Sequence, residues 1–290
     1  MILEGKTLAA QIRAPLQERA ERVRRQLKRP ICLCALGSCE DYAARVYLQK
    51  EVAAAQNIGI ETHIFDLNAN TPADGFCQAV KALAMHPATD AVLIPRPLPE
   101  RLAQSDFADF LNPRQDIDGM SLSNAGRLFL CKTWQQVENL PGFVPCTALA
   151  VMRLLDFHHV SLAGKAVTVI GRSPTVGRPL AHLLSCKNAT VTLCHSYSDL
   201  PRAVAQADIV CSAAGTPGLL KTSWLKPNSL VIDISTNWQN NTLCGDANAQ
   251  ELAAAGISYS PVPGGVGPVT LAVLLENIIL SGERKIKEIL

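Results

Sequence analysis

Val-Thr-Val-Ile-Gly-Arg-Ser-Pro-Thr-Val-Gly, residues 167–177, is the stretch that indicates the fold. A short β-branched run ends at a glycine turn, and a helical pattern begins at Val176. This order brings backbone N–H groups and the positive end of a helix towards a bound phosphate. The spacing from Gly171 through Ser173 to Gly177 is GxSxxxG, so the GxGxxG dinucleotide fingerprint is only partly met. The stretch predicts a nucleotide site, and a tight βα turn without a ligand is the alternative.

The end of the next predicted strand bears on which dinucleotide would bind. That strand ends at Cys194-His195-Ser196, without the Asp or Glu that usually accepts a hydrogen bond from the NAD ribose. Arg172 and Ser196 are instead suited to a 2′-phosphate. The pattern therefore favours NADP over NAD.

Strand-like and helix-like patterns alternate along the chain, which is typical of a mostly parallel sheet covered by helices. A segment with two prolines and a glycine, residues 140–147, resembles a hinge between two domains. We expect an α/β fold with two domains, a βαβ-type substrate domain and a Rossmann-like NADP domain with an interdomain cleft. The predicted boundaries are 1–143 plus 271–290 for the substrate domain and 144–270 for the NADP domain. The predicted strands are 31–36, 61–66, 91–94, 166–170, 190–194, 209–212 and 230–234, and the predicted helices are 6–28, 41–58, 73–85, 176–185 and 200–207.

Pro-Gly-Gly-Val-Gly-Pro-Val-Thr, residues 263–270, is the most glycine- and proline-rich segment. It is a poor helix and a poor strand, and it lies between a β-like run, 256–262, and a helix-like one, 271–279. A Gly-Gly pair adopts positive φ readily and lets a ligand or another backbone approach closely. We expect ligand contact here, with a rigid turn that packs only against its own protein as the alternative.

Composition excludes several classes of function. The chain has 290 residues, of which 48% are hydrophobic and 18% charged, as in an ordinary globular protein. A formal net charge of +2 favours neither nucleic acid nor an anionic membrane as partner. No run of about 18 consecutive apolar residues predicts a membrane span, and the first 30 residues do not resemble a signal peptide. A cytoplasmic protein is expected.

Cysteine and histidine spacing argues against metal and disulfides. None of the ten cysteines forms a CxxC pair, and the six histidines show no metal-ligand spacing. Cys32 and Cys34 alternate in a predicted buried strand, where they would share one face as small apolar residues.

Taken together, these motifs resemble the bifunctional methylenetetrahydrofolate dehydrogenase/methenyltetrahydrofolate cyclohydrolase family. The resemblance implies a folate domain and an NADP domain, usually in a homodimer, and a small-molecule folate substrate. It spans nearly the whole chain in the family's order. The matching segments are Tyr47 with its helix, DIDG (116–119), NAGRL (124–128), PCT (145–147), GRSPTVGRP (171–179) and PGGVGPVT (263–270).

The resemblance also implies roles for individual residues. Tyr47 resembles the tyrosine that lies along the folate rings, and Asp118 resembles the carboxylate that hydrogen-bonds the pterin. The positions that fall where the family contacts NADP are Gly171, Arg172, Ser173, Gly177, Ser196 and Thr236. Those that fall where it encloses the substrate are Pro95, Arg96, Pro263, Gly264, Gly265, Val266 and Gly267.

Two departures from the family pattern concern catalysis. The family has a catalytic lysine four residues after the tyrosine, but here Glu51 occupies that position and Lys50 comes one place early. The glutamine that supports the lysine in the family's VQLPLP segment is replaced by Pro95, whose side chain has no donor or acceptor. A smaller departure is Ser235, where the family has glycine.

The two departures predict an altered mechanism. The dehydrogenase step needs the nucleotide loop, Tyr47 and Asp118, all of which are present, whereas proton transfer in the cyclohydrolase step is assigned to the missing lysine. Glu51 cannot act as an ammonium, although an anion would stabilise the methenyl cation electrostatically. Lys50 would reach the site only if its helix rotated, because consecutive helical positions point about 100° apart. Arg96 is the other candidate cation.

We therefore expect NADP-dependent oxidation of 5,10-methylenetetrahydrofolate to 5,10-methenyltetrahydrofolate, with the cyclohydrolase step to 10-formyltetrahydrofolate weak or lost. One alternative is a catalytically impaired paralogue that binds nucleotide or folate. The other is a dehydrogenase of the same fold with a different substrate, whose carboxylate would pair with Arg96.

Overall fold

The computed structural model describes residues 1–37, 42–67, 70–239 and 242–289, which form two compact units. The three-stranded unit comprises residues 12–126 and 274–290, and the five-stranded unit comprises residues 1–11 and 127–273. Each unit contains a parallel sheet with helices, so the predicted two-domain α/β architecture is confirmed. The boundaries predicted from the sequence and the interdomain cleft stay predictions.

The helices alternate with the strands for most of the chain. The α-helices are α1 (Lys6–Arg13), α2 (Leu16–Leu27), α3 (Tyr42–Gln56), α4 (Ala73–Met85), α5 (Glu100–Ala103), α6 (Leu122–Phe129), α7 (Trp134–Glu138), α8 (Cys146–Phe157), α9 (Gly177–Cys186), α10 (Leu200–Ala205), α11 (Ala249–Ala254) and α12 (Val266–Ile289). Two short 3-10 helices cover Phe107–Asp109 and Thr222–Trp224.

The strands form two parallel sheets and one antiparallel pair. They are β1 (Cys32–Gly37), β2 (Glu61–Asp66), β3 (Ala91–Leu93), β4 (Ala166–Ile170), β5 (Thr190–Cys194), β6 (Ile209–Ser212), β7 (Leu230–Asp233), β8 (Asn237–Gln239), β9 (Thr242–Cys244) and β10 (Ser258–Ser260). The three-stranded order is β2-β1-β3, the five-stranded order is β10-β7-β6-β4-β5, and β8 pairs with β9.

Burial in the two sheets follows their topology. The central strand β1 is buried at all six positions, whereas its neighbour β2 lies at an edge and is largely exposed. In the three-stranded unit, Phe76 and Val80 of α4 pack with Val92 and Leu102. In the five-stranded unit, residues such as Ile170, Val210 and Val231 form the core.

A buried carboxylate joins separate parts of the three-stranded unit. The side chain of Asp90, which precedes β3, is fully buried and accepts hydrogen bonds from Arg29, Lys285 and the backbone N–H of Cys32 at 2.6–2.9 Å. The hydroxyl of Ser281, on α12, donates to the carbonyl of Asp90. The last helix is therefore held against β1 and β3 by polar contacts.

Two sequence predictions about helices are wrong. The predicted helix 6–28 is two helices, because Pro15 has no N–H to continue the ladder, and α2 begins after it. The predicted loop 263–270 is only partly a loop, since α12 already begins at Val266. Pro268 is tolerated there because the first N–H groups of a helix have no intrahelical acceptor.

The long helix α12 is apolar enough to cross a membrane by length and composition alone. Over Val266–Lys287 the mean hydropathy is 1.3, but 67% of that segment is buried within the protein. The core helix of a folded protein can have the same length and composition, so α12 is no argument for a membrane span.

Cys32 and Cys34 are both buried with their Sγ atoms 3.9 Å apart, so they do share one face of β1. The predicted hinge, 140–147, falls within the five-stranded unit, and α8 begins inside it at Cys146.

Candidate active site

Helix α3 presents two of the predicted catalytic residues on one face. Tyr47 and Glu51 are four residues apart, so their side chains are neighbours on the helix surface. Tyr47 is 38% exposed, whereas Glu51 is only 8% exposed. Lys50 points elsewhere and is exposed. The helix therefore directs the carboxylate inwards and the neighbouring ammonium outwards.

The segment after β3 supplies Pro95 and Arg96. A Cβ atom added at Gly37, the last residue of β1, would lie 3.0 Å from the Pro95 ring, so the two residues are closely packed. The Arg96 guanidinium lies over the ring of Phe107, 5.0 Å from its centroid. Its Nε is buried and donates no hydrogen bond to any of the described residues. The segment thus places a half-buried cation beside an aromatic ring.

The DIDG segment forms a turn that Asp116 organises. The Asp116 carboxylate is 2% exposed and accepts hydrogen bonds from the backbone N–H groups of Met120 and Ser121 and from Nδ2 of Asn124, at 2.7–2.9 Å. Burial raises the pKa of Asp116 to about 6, against the opposing effect of these hydrogen bonds. Sequence reasoning missed this structural role, although the motif already contained both acids.

The same turn presents Asp118 to the other site residues. Nδ2 of Asn277, on α12, donates to the carbonyl of Ile117 at 2.9 Å and so fixes the turn from the far side. Gly119 has φ +65°, which lets the chain reverse directly after Asp118. Asp118 itself is half-buried.

Electrostatics link Asp118 to Glu51 and to Arg96. Burial raises the pKa of Glu51 to about 8, and the negative charge of Asp118 adds to the effect. Burial lowers the pKa of Arg96, and Asp118 opposes that shift. The three-stranded unit therefore brings together an aromatic ring, two carboxyl groups and one guanidinium: Tyr47, Glu51, Asp118 and Arg96.

The glycine turn after β4 is as tight as the sequence predicts. Gly171 has φ +114°, and a Cβ atom there would collide with the carbonyl of Ala213. A Cβ atom at Gly177 would collide with the carbonyl of Gly171. Oγ of Ser173 accepts from the N–H groups of Val176 and Gly177 at 3.1 and 3.3 Å. The turn delivers the ten-residue helix α9 with its N-terminus towards the end of β4.

Arg172 and Ser196 lie at the same edge of the sheet. They follow β4 and β5, neighbouring parallel strands in which Ile170 pairs with Cys194. Both residues are exposed. An exposed cation and hydroxyl beyond adjacent strand ends fit a phosphate of a nucleotide bound at the α9 N-terminus.

A fully buried carboxylate, Asp246, organises the next two strand ends. It accepts hydrogen bonds at 2.7–2.8 Å from the hydroxyls of Ser212 and Ser235 and from the backbone N–H groups of Ala214 and Thr216. Oγ of Ser235 also accepts from the N–H of Gly215 at 3.0 Å. Thr236 follows directly and is exposed. The sequence offered no signal for Asp246, because its partners lie far away along the chain.

The glycines of the segment 263–270 differ in how closely other atoms approach them. Gly264 has φ +113°, and its carbonyl accepts from the N–H of Gly5 at 2.8 Å. A Cβ atom at Gly265 would lie 2.7 Å from the carbonyl of Pro261, so internal packing explains this glycine. A Cβ atom at Gly267 would meet no described atom within 4 Å. Pro263 and Val266 border these glycines in the five-stranded unit.

The structure thus distributes the predicted site residues between the units. The three-stranded unit holds Tyr47, Lys50, Glu51, Pro95, Arg96 and Asp118, and the five-stranded unit holds Gly171, Arg172, Ser173, Gly177, Ser196, Thr236 and 263–267. The turn at Gly171 fits a dinucleotide. It is closely packed with positive φ at Gly171, and its glycines have no side chains that would cover the N-terminus of α9.

Comparison with known proteins agrees with both halves of this arrangement. Residues 3–118 match the family model described as tetrahydrofolate dehydrogenase/cyclohydrolase, catalytic domain, and residues 145–286 match its NAD(P)-binding domain. The chain belongs to the tetrahydrofolate dehydrogenase/cyclohydrolase family. Membership makes it an enzyme of the tetrahydrofolate dehydrogenase/cyclohydrolase type, with an NAD(P)-binding domain.

Several relatives resemble the chain over its whole length. The bifunctional protein FolD of Elusimicrobium minutum is 48% identical over 288 residues, which cover 99% of this chain and 100% of the relative. The crystal structure of FolD from Campylobacter jejuni has a TM-score of 0.88 at 31% identity and covers 98% of this chain and 99% of its own. The Trypanosoma brucei enzyme, crystallised with NADP and an inhibitor, has the same TM-score and identity, with 99% and 98% covered.

Proposed function

We propose that the protein oxidises 5,10-methylenetetrahydrofolate to 5,10-methenyltetrahydrofolate with NADP and hydrolyses the methenyl product weakly or not at all. The observation that carries the second part is the position of Glu51, buried on the face of α3 that also carries Tyr47, while Lys50 is exposed. The full-length match to bifunctional relatives supports the first part.

The folate would lie against the residues of the three-stranded unit. Tyr47 is 38% exposed, and a flat heterocycle can stack on the exposed part of its ring. Asp118 is half-buried and offers carboxylate oxygens to the N–H groups of a pterin. Arg96, held over Phe107, lies close enough to Asp118 for this carboxyl group to oppose the lowering of the Arg96 pKa by burial.

The dinucleotide would be held by the five-stranded unit. The turn from Gly171 to Gly177 would take the pyrophosphate at the N-terminus of α9, and Arg172 with Ser196 would take the 2′-phosphate. Thr236 stands at a strand end that the Asp246 network fixes. When bound, NADP supplies the hydride acceptor, and the protein's part is to hold the reacting groups in place.

Hydrolysis needs a group that transfers a proton, and this site has Glu51 in the position of the family's lysine. General acid–base assistance is worth about 10²–10⁴-fold in rate. A carboxylic acid cannot supply the positive charge that an ammonium group would bring beside the folate, and Pro95 has no side-chain donor or acceptor to orient such a group. The cyclohydrolase step is therefore expected to fall by about that factor.

Two assays on the purified protein test the proposal. We expect NADPH formation from methylenetetrahydrofolate at a rate ordinary for such enzymes, and hydrolysis of methenyltetrahydrofolate barely above its uncatalysed rate. The double variant Glu51→Lys, Pro95→Gln should gain hydrolysis, and the exposed-site variant Glu100→Gln serves as the matched control. Robust hydrolysis by the unmodified protein would contradict the proposal, and binding of NADP without turnover would favour the catalytically impaired paralogue.

We also propose that the protein is a cytoplasmic homodimer without nucleic-acid or membrane partners. The resemblance to the family supports the homodimer, and the near-neutral charge supports the absence of polyanion binding. Sedimentation at micromolar concentration should give twice the chain mass of 31.1 kDa.

A further inference from the structure

Glu51 occupies an unusual position for a carboxylic acid. It is 8% exposed on α3, one helical turn from Tyr47 and directly after the exposed Lys50. Acidic side chains are seldom buried to this extent unless they are paired or neutral. Burial here therefore calls for a chemical reason.

Among the residues that the structure describes, no cation pairs with the Glu51 carboxyl group. Asp118, from the DIDG turn, faces it with a like charge. The cation nearby, Arg96, is coupled to Asp118, and it comes from the segment after β3. One negative charge is thus balanced by one guanidinium, and the second carboxyl group is left to hold a proton. The raised pKa of Glu51, about 8, agrees with this distribution.

The proposed reaction changes the charge of the folate at this site. The methylene compound is neutral at its one-carbon bridge, whereas the methenyl product carries a positive charge there. A site built for the neutral substrate gains from a negative charge that develops only as the product forms, since such an interaction favours the transition state over the ground state.

We propose that Glu51 is the charge-balancing residue of the dehydrogenase step: it enters as a neutral carboxyl group and becomes a carboxylate as the methenyl cation forms. This inference rests on the proposed function. The C–H bond of the bridge breaks, and its electron pair and hydrogen leave together as hydride to the nicotinamide. The O–H bond of Glu51 also breaks, and its proton passes to bulk water. No bond forms between Glu51 and the folate.

The first test measures binding rather than turnover. Affinity for 5,10-methenyltetrahydrofolate is measured by stopped-flow protein fluorescence at pH 6.0 and 7.5, within seconds and before uncatalysed hydrolysis. If binding of the cation releases a proton from Glu51, the affinity increases with pH. By linkage we expect the affinity to rise roughly tenfold between pH 6.0 and 7.5. Glu51→Gln should abolish the gain, and Glu51→Asp should retain part of it. Neutral tetrahydrofolate should bind the wild type and Glu51→Gln equally.

The second test follows hydride transfer. In the wild type kcat/KM for the dehydrogenase should rise with pH and level off above about pH 8, as Glu51 becomes able to lose its proton. In Glu51→Gln the rise should disappear, while Glu100→Gln, which changes an exposed glutamate in the same way, should keep it. The kcat/KM values of the two variants should differ by about tenfold at pH 8.5 and little at pH 6.

The outcomes separate this inference from the proposed function. The same pH dependence of cation binding in Glu51→Gln and wild type would overturn the role of Glu51, whatever the rate of hydride transfer. An absence of hydride transfer in the wild type would overturn the proposed function, and the binding measurements would still decide whether Glu51 responds to the cation.

Discussion

Glu51 shows how one side chain changes what a site can do. A lysine at this position would bring a positive charge beside Tyr47, whereas a buried carboxyl group brings either no charge or a negative one. The exchange affects stability as well as chemistry, because the folded protein binds a proton that the unfolded chain releases.

The free energy of unfolding should therefore depend on pH through Glu51. Its pKa is raised from 4.5 to about 8 in the folded protein, so the folded state binds the extra proton between these values. Stability should fall with rising pH, by about 1.4 kcal/mol per unit over much of that interval. Glu51→Gln should remove the slope, which urea unfolding at pH 5 to 8.5 would measure. Parallel curves for the two proteins would contradict the burial of this carboxyl group.

Ser235 illustrates a departure from the family pattern that the structure explains. Its hydroxyl donates to Asp246 and accepts from Gly215, so it joins two strand ends near Thr236. Ser235→Ala should cost about 1–3 kcal/mol of stability, because it leaves a buried acceptor with one partner fewer. Thermal unfolding would measure the loss. Ser185→Ala, at an exposed residue, is the control and should change little.

Among the elements, the β4–α9 turn depends on its glycines more than on its polar residues. At Gly177 a methyl group would run into the backbone of Gly171, which cannot move without displacing the turn. The strand and the helix would both remain, but the loop between them would have to open.

Gly177→Ala should weaken NADP binding by at least about tenfold, since the backbone N–H groups of the turn would no longer point at one place. Calorimetric titration with NADP would measure it. Gly126→Ala is the matched control, because a Cβ atom there meets nothing within 4 Å and alanine favours a helix. Equal affinities in the two variants would show that the turn does not hold the dinucleotide.

The sequence predicted the elements whose cause is local. The limits of β2, α4, β4, β5 and β6 follow from runs of β-branched or periodic residues, and the structure matches them. The start of α12 at Val266 was missed because glycine and proline have low intrinsic helix propensity, whereas the first turn of a helix tolerates both. The β8–β9 pair was missed because its strands have three residues each and, unlike the equally short β3, are not continuous buried apolar runs.

In the candidate site, too, the sequence predicted the residues that belong to local motifs. Motifs named Tyr47, Asp118 and the glycine turn, because these residues stand in short recognisable patterns. Asp246 and Asn277 act through partners that are distant along the chain, and no local pattern records such pairs. The inward direction of Glu51 and the outward direction of Lys50 also required the packing of α3 to be known.

Across the molecule, the Asp90 side chain joins three separate parts of the three-stranded unit, at Arg29, Cys32 and Lys285. Burial alone would raise its pKa, but hydrogen bonds from Arg29 and Lys285 outweigh this effect and lower the pKa. A lowered pKa means that the stabilisation is complete above about pH 4 and is lost as the pH falls through the folded-state value.

Asp90→Asn should destabilise the protein by about 3 kcal/mol at pH 7, because two cations and a buried N–H lose their carboxylate. The difference from wild type should shrink as the pH falls below about 4 and reaches the lowered folded-state pKa, where the wild-type carboxylate takes up a proton. Denaturant unfolding at pH 7 and at a series of pH values from 4 down to 2 would measure both. Asp74→Asn, at the exposed start of α4, is the control. A loss that did not change with pH would contradict the ionic role.

The contacts of Asp90, Ser281 and Asn277 have a consequence for biosynthesis. The three-stranded unit takes its strands from the early part of the chain but is completed by α12, some 150 residues later. On the ribosome the three-stranded unit stays incomplete until residues 274–289 emerge. Until then the apolar surface that packs against α12 is exposed. A nascent chain stalled before that point should be cut by protease within 12–126, and one released with α12 should resist.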